Sequence, residues 1–110
     1  MTQELTILEK IRSLVISNSY RITIHAIRHM VEEGFSEGNI AEAIENGKIL
    51  ENYSDEKRCL IIGSFHFTEK TTSPLHVICD YTNSDIIDIV TAYIPQKPWW
   101  TSPIKRREIE

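Results

Sequence analysis

Gly47-Lys-Ile-Leu-Glu-Asn-Tyr53-Ser-Asp-Glu-Lys-Arg58-Cys-Leu-Ile-Ile-Gly-Ser-Phe65 is the stretch that decides the fold. Before it, apolar residues recur at helical spacing. Within it they come in short β-branched runs separated by a polar turn. Asn46-Gly47 is a helix stop. Residues 48–53 and 58–65 read as two strands joined at Ser54-Asp55-Glu56. Downstream the rhythm continues. Residues 66–74, rich in threonine and ending Ser73-Pro74, form a loop or a flared hairpin end. Residues 75–81 are a third strand, Thr82-Asn-Ser-Asp85 turns the chain, and 86–94 are a fourth, which Pro95 ends. Strands this close in sequence imply an antiparallel meander.

Upstream of Gly47 the period is helical. Residues 3–17 place Leu5, Leu8, Ile11, Leu14 and Val15 on one stripe, with Thr2 as cap and Asn18-Ser19 as terminator. Tyr20-Arg-Ile22 is short and β-leaning. Thr23 caps a second helix that Gly34 closes, and Ser36 opens a third with Ile40, Ala43 and Ile44 on one side. Helices first and sheet second predict an α+β fold, with two or three N-terminal helices packed on a four-stranded antiparallel sheet.

At 110 residues the chain is read as a single domain, 1–110, long enough to bury a core. The formal net charge of −4 excludes a protein that holds nucleic acid by its overall field. Contact with RNA then needs a local basic patch such as Lys57-Arg58 or Lys105-Arg106-Arg107, and a basic partner protein suits the charge equally well. Cys59 and Cys79 sit in apolar runs without C-x-x-C spacing and read as buried thiols, able to face each other on neighbouring strands. The N-terminus has neither the basic start nor the apolar stretch of a signal peptide. No run approaches the ~20 apolar residues of a membrane span. A cytoplasmic protein without membrane contact is expected.

Chemistry concentrates in residues 23–34, Thr-Ile-His-Ala-Ile-Arg-His-Met-Val-Glu-Glu-Gly. Wound as a helix, His25, Arg28, His29 and Glu32 fall at i, i+3, i+4 and i+7 on one face. Ile24, Ile27, Met30, Val31 and Phe35 are expected on the side toward the core. Histidine exchanges protons at neutral pH, and arginine grips phosphate and offsets developing negative charge. Cleavage of RNA by its own 2′-hydroxyl needs those two functions and no cofactor. The i, i+4 histidines also suit a metal, with Glu32 or His76 as third ligand, but no H-E-x-x-H pattern is present and no metal is expected.

Strand residues add candidates. Alternation puts Ile87, Ile89, Thr91 and Tyr93 on one face and His76, Ile78 and Asp80 on one face of the preceding strand. Tyr93 and His76 are candidates to orient a phosphate, though Tyr93 reads more readily as a strand aromatic packed under the C-terminal tail and His76 as an exposed strand residue. Trp99-Trp100 after Pro95 and Pro98 suit packing or a homodimer contact. There is no P-loop, no G-x-G-x-x-G and no G-x-S-x-G, so nucleotide-dependent transfer and serine hydrolysis have no support.

Thr23-Ile-His25-Ala26, then Met30 and Gly34-Phe35-Ser36, resembles the T-x-H-A…R-M…R-G-I-S opening of a small bacterial domain family of unknown function. Ile44 with Gly47, Leu75-His76-Val77, and Val90-Thr91-Ala92-Tyr93-Ile94-Pro95 with Trp99 continue the likeness across residues 20–100. On that reading 1–19 is a helical extension and 101–110 a charged tail. The resemblance implies a RelE/MqsR-like toxin fold, similar to barnase-like endoribonucleases, and the toxin half of a toxin–antitoxin pair. It therefore implies metal-independent cleavage of RNA and an antitoxin protein as partner. His25 matches the family histidine, and Thr91 and Tyr93 also match. The family arginine falls at His29, with Arg28 one place earlier, and a second falls at Glu33. Both departures remove positive charge from the expected phosphate site. The expected catalytic set is His25, Arg28, His29 and Tyr93, with Thr91, His76, Lys57 and Arg58 binding substrate. The alternative is a catalytically inactive interaction module on the same scaffold.

Overall fold

The computed structural model describes residues 3–95, 100–102 and 105–106. Helix α1 (Gln3–Ile16) leads into β1 (Tyr20–Ile22), then α2 (Ile24–Glu33), α3 (Glu37–Asn46), β2 (Lys48–Tyr53), a 3-10 turn (Ser54–Glu56), β3 (Arg58–His66), β4 (Thr72–Asp80) and β5 (Ile87–Tyr93). Two further short strands, β6 (Trp100–Ser102) and β7 (Lys105–Arg106), pair with each other in an antiparallel ribbon. The expected contact through Trp99-Trp100 and the charged tail lie outside the residues whose side chains are described.

The α+β class holds, but the sheet differs from the expected four-stranded antiparallel one. It has five strands in the order β1-β5-β4-β3-β2, and β1 joins β5 in parallel. The meander β2 to β5 is antiparallel throughout, as expected. Tyr20–Ile22 is too short to show alternation, and its partner lies far along the chain, so only tertiary pairing completes it. Arg21 fixes the register by gripping Asp88, Nε to Oδ1 at 2.7 Å. The β3–β4 ladder runs out to His66 opposite Thr72, so the 66–74 segment is the flared hairpin end, with strand as far as its tip.

Local signals set the helix ends. The Thr23 hydroxyl accepts from the Ala26 amide, and Gly34 closes α2 at φ 81°. Ser36 and Asn39 form a reciprocal capping pair at the start of α3. At the end of α1, Asn18 takes φ 59°, and the Ser19 amide reaches back to the Leu14 carbonyl at 2.7 Å.

The helices bury Ile7, Leu8, Ile11, Val15, Ala26, Ile40, Ala43 and Ile44 against Cys59, Ile61, Phe65, Leu75, Val77, Cys79, Ile87, Ile89 and Ala92. These strand residues alternate, with one extra residue between Ile89 and Ala92, so they mark one face of the sheet. Cys59 and Cys79 do stand opposite each other, and both are buried thiols. Burial pushes the Cys79 thiol well up from its ordinary range, as does the neighbouring Cys59, so it behaves as a small hydrophobe. Arg12 ties α1 to the end of α3: its Nε donates to the Ile44 carbonyl at 3.0 Å and its Nη2 to the Gly47 carbonyl at 2.6 Å.

Candidate functional site

Helix α2 is strapped along the outer edge of β5. Strand β1 pairs only with 87–89, which leaves the second half of β5 without a strand partner on that side. Thr23 takes over there. Its amide donates to the Ile89 carbonyl at 3.2 Å and its hydroxyl to the Val90 carbonyl at 2.7 Å. At the other end of the helix, Glu33 Oε1 accepts the Ile94 amide at 2.7 Å. The ten steps from Thr23 to Glu33 advance ~15 Å as helix. The four steps from Val90 to Ile94 advance ~13 Å as strand. The lengths match, so α2 lies alongside β5 and its rotation is fixed at both ends.

That rotation corrects one expectation. Ile24, Ile27 and Val31 do not face the core: they are 71%, 45% and 79% exposed. The inward line is Ala26, fully buried, with Met30 partly buried beside it and Phe35 buried beyond the helix. Glu33 is drawn inward by the Ile94 amide, and His29 follows on the adjoining line. A helix set against a strand edge, with an alanine at the contact, does not need its bulkiest apolar stripe inside.

His29 sits at the centre of the polar groups. Its Nδ1 lies 2.5 Å from Glu33 Oε2, and the two side chains are 31% and 17% exposed. The His25 ring meets it edge-on, with centroids 4.8 Å apart. The Tyr93 ring stands 6.4 Å from His29 and 5.3 Å from His76. Tyr93 Oη and His76 Nδ1 are 3.4 Å apart, within reach of a weak hydrogen bond. His76 is fully buried, so it is not the exposed strand residue that the pattern allowed.

A bulge brings Tyr93 to this side of the sheet. Ile78 pairs with Thr91 but Cys79 pairs with Ile89, so Val90 is an extra residue. Plain alternation would align Tyr93 and Thr91 with the core residues Ile87 and Ile89. The bulge gives that place to Ala92 and turns Thr91 and Tyr93 to the opposite face. The two still share a face, but not that of the isoleucines.

Four expected residues therefore converge: His25, His29, Tyr93 and His76. Thr91 neighbours Tyr93 on the same face. Arg28 is exposed on the next turn of α2 and forms no ion pair among the described residues. Lys57 and Arg58 do not join the group. Arg58 pairs with Asp80, Nε to Oδ2 at 3.1 Å, four ladder positions from Ile62 opposite His76. That separation is ~13 Å along the strand. Lys57 sits in the preceding turn at φ 57°. Glu33, which reads in sequence as a lost arginine, is in the structure the partner of His29. The i, i+4 spacing of His29 and Glu33 carried that signal.

The arrangement can move protons: three imidazoles and a phenol lie together, one imidazole held by a carboxylate. Among the described residues no group of three or more His, Cys, Asp or Glu side chains is placed to hold a metal ion. No helix among them is long and apolar enough to cross a membrane. In comparison with known proteins, residues 22–94 match a family model described as "Domain of unknown function (DUF4258)". No curated protein and no solved structure matches.

Proposed function

Since the chain belongs to the DUF4258 family, whose description assigns no activity, we propose from the site itself that it is a metal-independent endoribonuclease, the toxin of a toxin–antitoxin pair on a RelE-like scaffold. The observation that carries this reading is the juxtaposition of His25 and His29 at 4.8 Å, beside Tyr93 and next to the exposed cation of Arg28. Cleavage through the 2′-hydroxyl asks for a base, an acid and a cation for the phosphate, and those groups lie on adjoining lines of one helix. In this reading His25 and His29 exchange the protons, Arg28 holds the phosphate and Tyr93 orients it.

The experiment is expression of the full chain under tight control, scored for growth arrest, with RNA cleavage in chelator-containing buffer as the biochemical readout. Arrest and cleavage are expected, and both fall away in His25→Ala and His29→Ala. Equal growth of the native chain and both variants, with intact RNA, rejects the reading.

A second reading has its own observation. Ile24, Ile27 and Val31 form an exposed apolar stripe on the helix that carries the histidines. Such a stripe suits a protein partner. If the chain is an inactive interaction module, this stripe is the surface that works. If it is a toxin, an antitoxin seated on the stripe lies against the histidines.

A further inference from the structure

The two histidines of α2 are not equivalent. His29 has its Nδ1 against Glu33 Oε2 at 2.5 Å, whereas His25 is exposed and has no hydrogen-bond partner among the described residues. The other carboxylate oxygen of Glu33 is occupied by the Ile94 amide at 2.7 Å. A carboxylate only accepts, so the neutral His29 ring must carry its proton on Nδ1. We infer that Glu33 is a positioning residue that locks His29 in the Nδ1–H tautomer, leaves Nε2 bare, and so makes His29 the general base of the site and His25 the acid.

The chemistry rests on the ribonuclease reading above. His29 Nε2 takes the proton of the ribose 2′-hydroxyl. The 2′-oxygen bonds to phosphorus as the bond from phosphorus to the 5′-oxygen breaks. Protonated His25 gives its proton to that leaving oxygen. The products are a 2′,3′-cyclic phosphate and a 5′-hydroxyl, with one proton taken and one returned. The carboxylate of Glu33 holds the imidazolium that forms on His29. An exposed His25 ring changes rotamer fast enough to follow the leaving group. The assignment divides the proton work between the two rings and gives a role to the acidic residue that stands where the resemblance expects an arginine.

Glu33→Gln tests it with almost no change in shape. In that variant the side-chain oxygen still serves the Ile94 amide, which turns the new NH2 group toward His29 and asks Nδ1 to accept. The neutral ring then carries its proton on Nε2, which can no longer act as a base. Long-range 15N–1H correlation spectra of the imidazoles read the tautomer directly. The native chain is expected to show Nδ1–H for His29 and Glu33→Gln to show Nε2–H. Cleavage of a single-stranded RNA oligonucleotide is expected to fall about 100-fold or more, the usual yield of a lost general base. An Nε2–H tautomer in the native chain overturns the inference, and that measurement needs no variant, so a misfolded Glu33→Gln does not remove the test. An unchanged tautomer or rate in a folded Glu33→Gln overturns it too. Failure of the ribonuclease reading looks different: the tautomer inverts on substitution but the native chain cuts no RNA, which rejects the base role and supports the lock.

Discussion

Gly63 of β3 lies directly beneath the carbonyl of Ala43 in α3, so close that a Cβ on it would stand 1.9 Å from that oxygen. The helix rests on the strand at backbone distance. Gly63→Ala therefore has to push α3 off the sheet. It is expected to cost about 3 kcal/mol, the upper end of ordinary overpacking, or to prevent folding. Urea denaturation measures it. Gly38→Ala is the control, because its Cβ meets only Ser36 Oγ at 3.7 Å in the first turn of the same helix. That change is expected to stabilise by roughly 0.5–1 kcal/mol.

Arg12 closes the same helix from the other side by donating to the Ile44 and Gly47 carbonyls. Arg12→Met keeps the aliphatic stem and leaves those part-buried acceptors without the fork. A loss of about 1.5–3 kcal/mol is expected, as for hydrogen bonds from a charged donor. Arg12→Lys is expected to restore little, since one ammonium does not span both oxygens. Thermal melts of the three proteins, compared as stability differences, decide it.

Tyr20 donates to Glu37, and that bond, with burial and the charge of Glu37, pushes the phenol up to about 12. A phenol raised in the fold contributes stability below its ordinary value near 10, and this contribution is lost as pH rises toward 12. Tyr20→Phe is expected to flatten the alkaline limb of the stability curve. Ultraviolet titration of the phenolates in both proteins checks it, and an alkaline limb unchanged by the substitution counts against the bond.

Asp80 answers at the opposite end of the scale. Burial pushes its carboxyl up, but the Thr82 amide and hydroxyl and the Arg58 guanidinium outweigh burial and hold it below the usual carboxylate range. Its contribution is present above the ordinary carboxylate range and lost as pH falls through the lowered value. Asp80→Asn is expected to remove part of the acid-induced loss of stability, read as a smaller drop in the urea midpoint between neutral and acid pH.

The α2 stripe separates stability from partnership. Ile24 and Val31 are 71% and 79% exposed, so Ile24→Ser with Val31→Ser is expected to change stability by about 0.5 kcal/mol or less for each change. On the proposed toxin reading, binding of an antitoxin co-expressed from a neighbouring gene is expected to weaken at least tenfold, measured by calorimetry. Unchanged affinity places the partner elsewhere.

Much of the fold was legible because its signals are local. Thr23, Gly34, Ser36 and Gly47 mark helix ends through their own chemistry, and the meander after Gly47 joins neighbours in sequence. The rest depends on residues far apart. Nothing in Tyr20–Ile22 points to Ile87, and the run from Ile87 to Tyr93 carries no local mark of the extra residue at Val90. The face that α2 turns inward follows from Thr23 and Glu33 meeting Val90 and Ile94, which no helical wheel contains. The site was half legible for the same reason. His25 and His29 advertise themselves and the i, i+4 spacing ties Glu33 to His29, whereas the hold of Glu33 on the Ile94 amide and the burial of His76 beside Tyr93 arise only in the folded chain.

Parallel pairing of the first strand with the fifth also sets a timetable. The histidine helix leaves the ribosome long before Ile87–Tyr93 exists, and until then it has nothing to lie against. A nascent chain that ends ahead of that segment carries both imidazoles but neither the phenol nor the backbone anchors that orient them. Whatever this protein does, it begins only after Ile94 has been made.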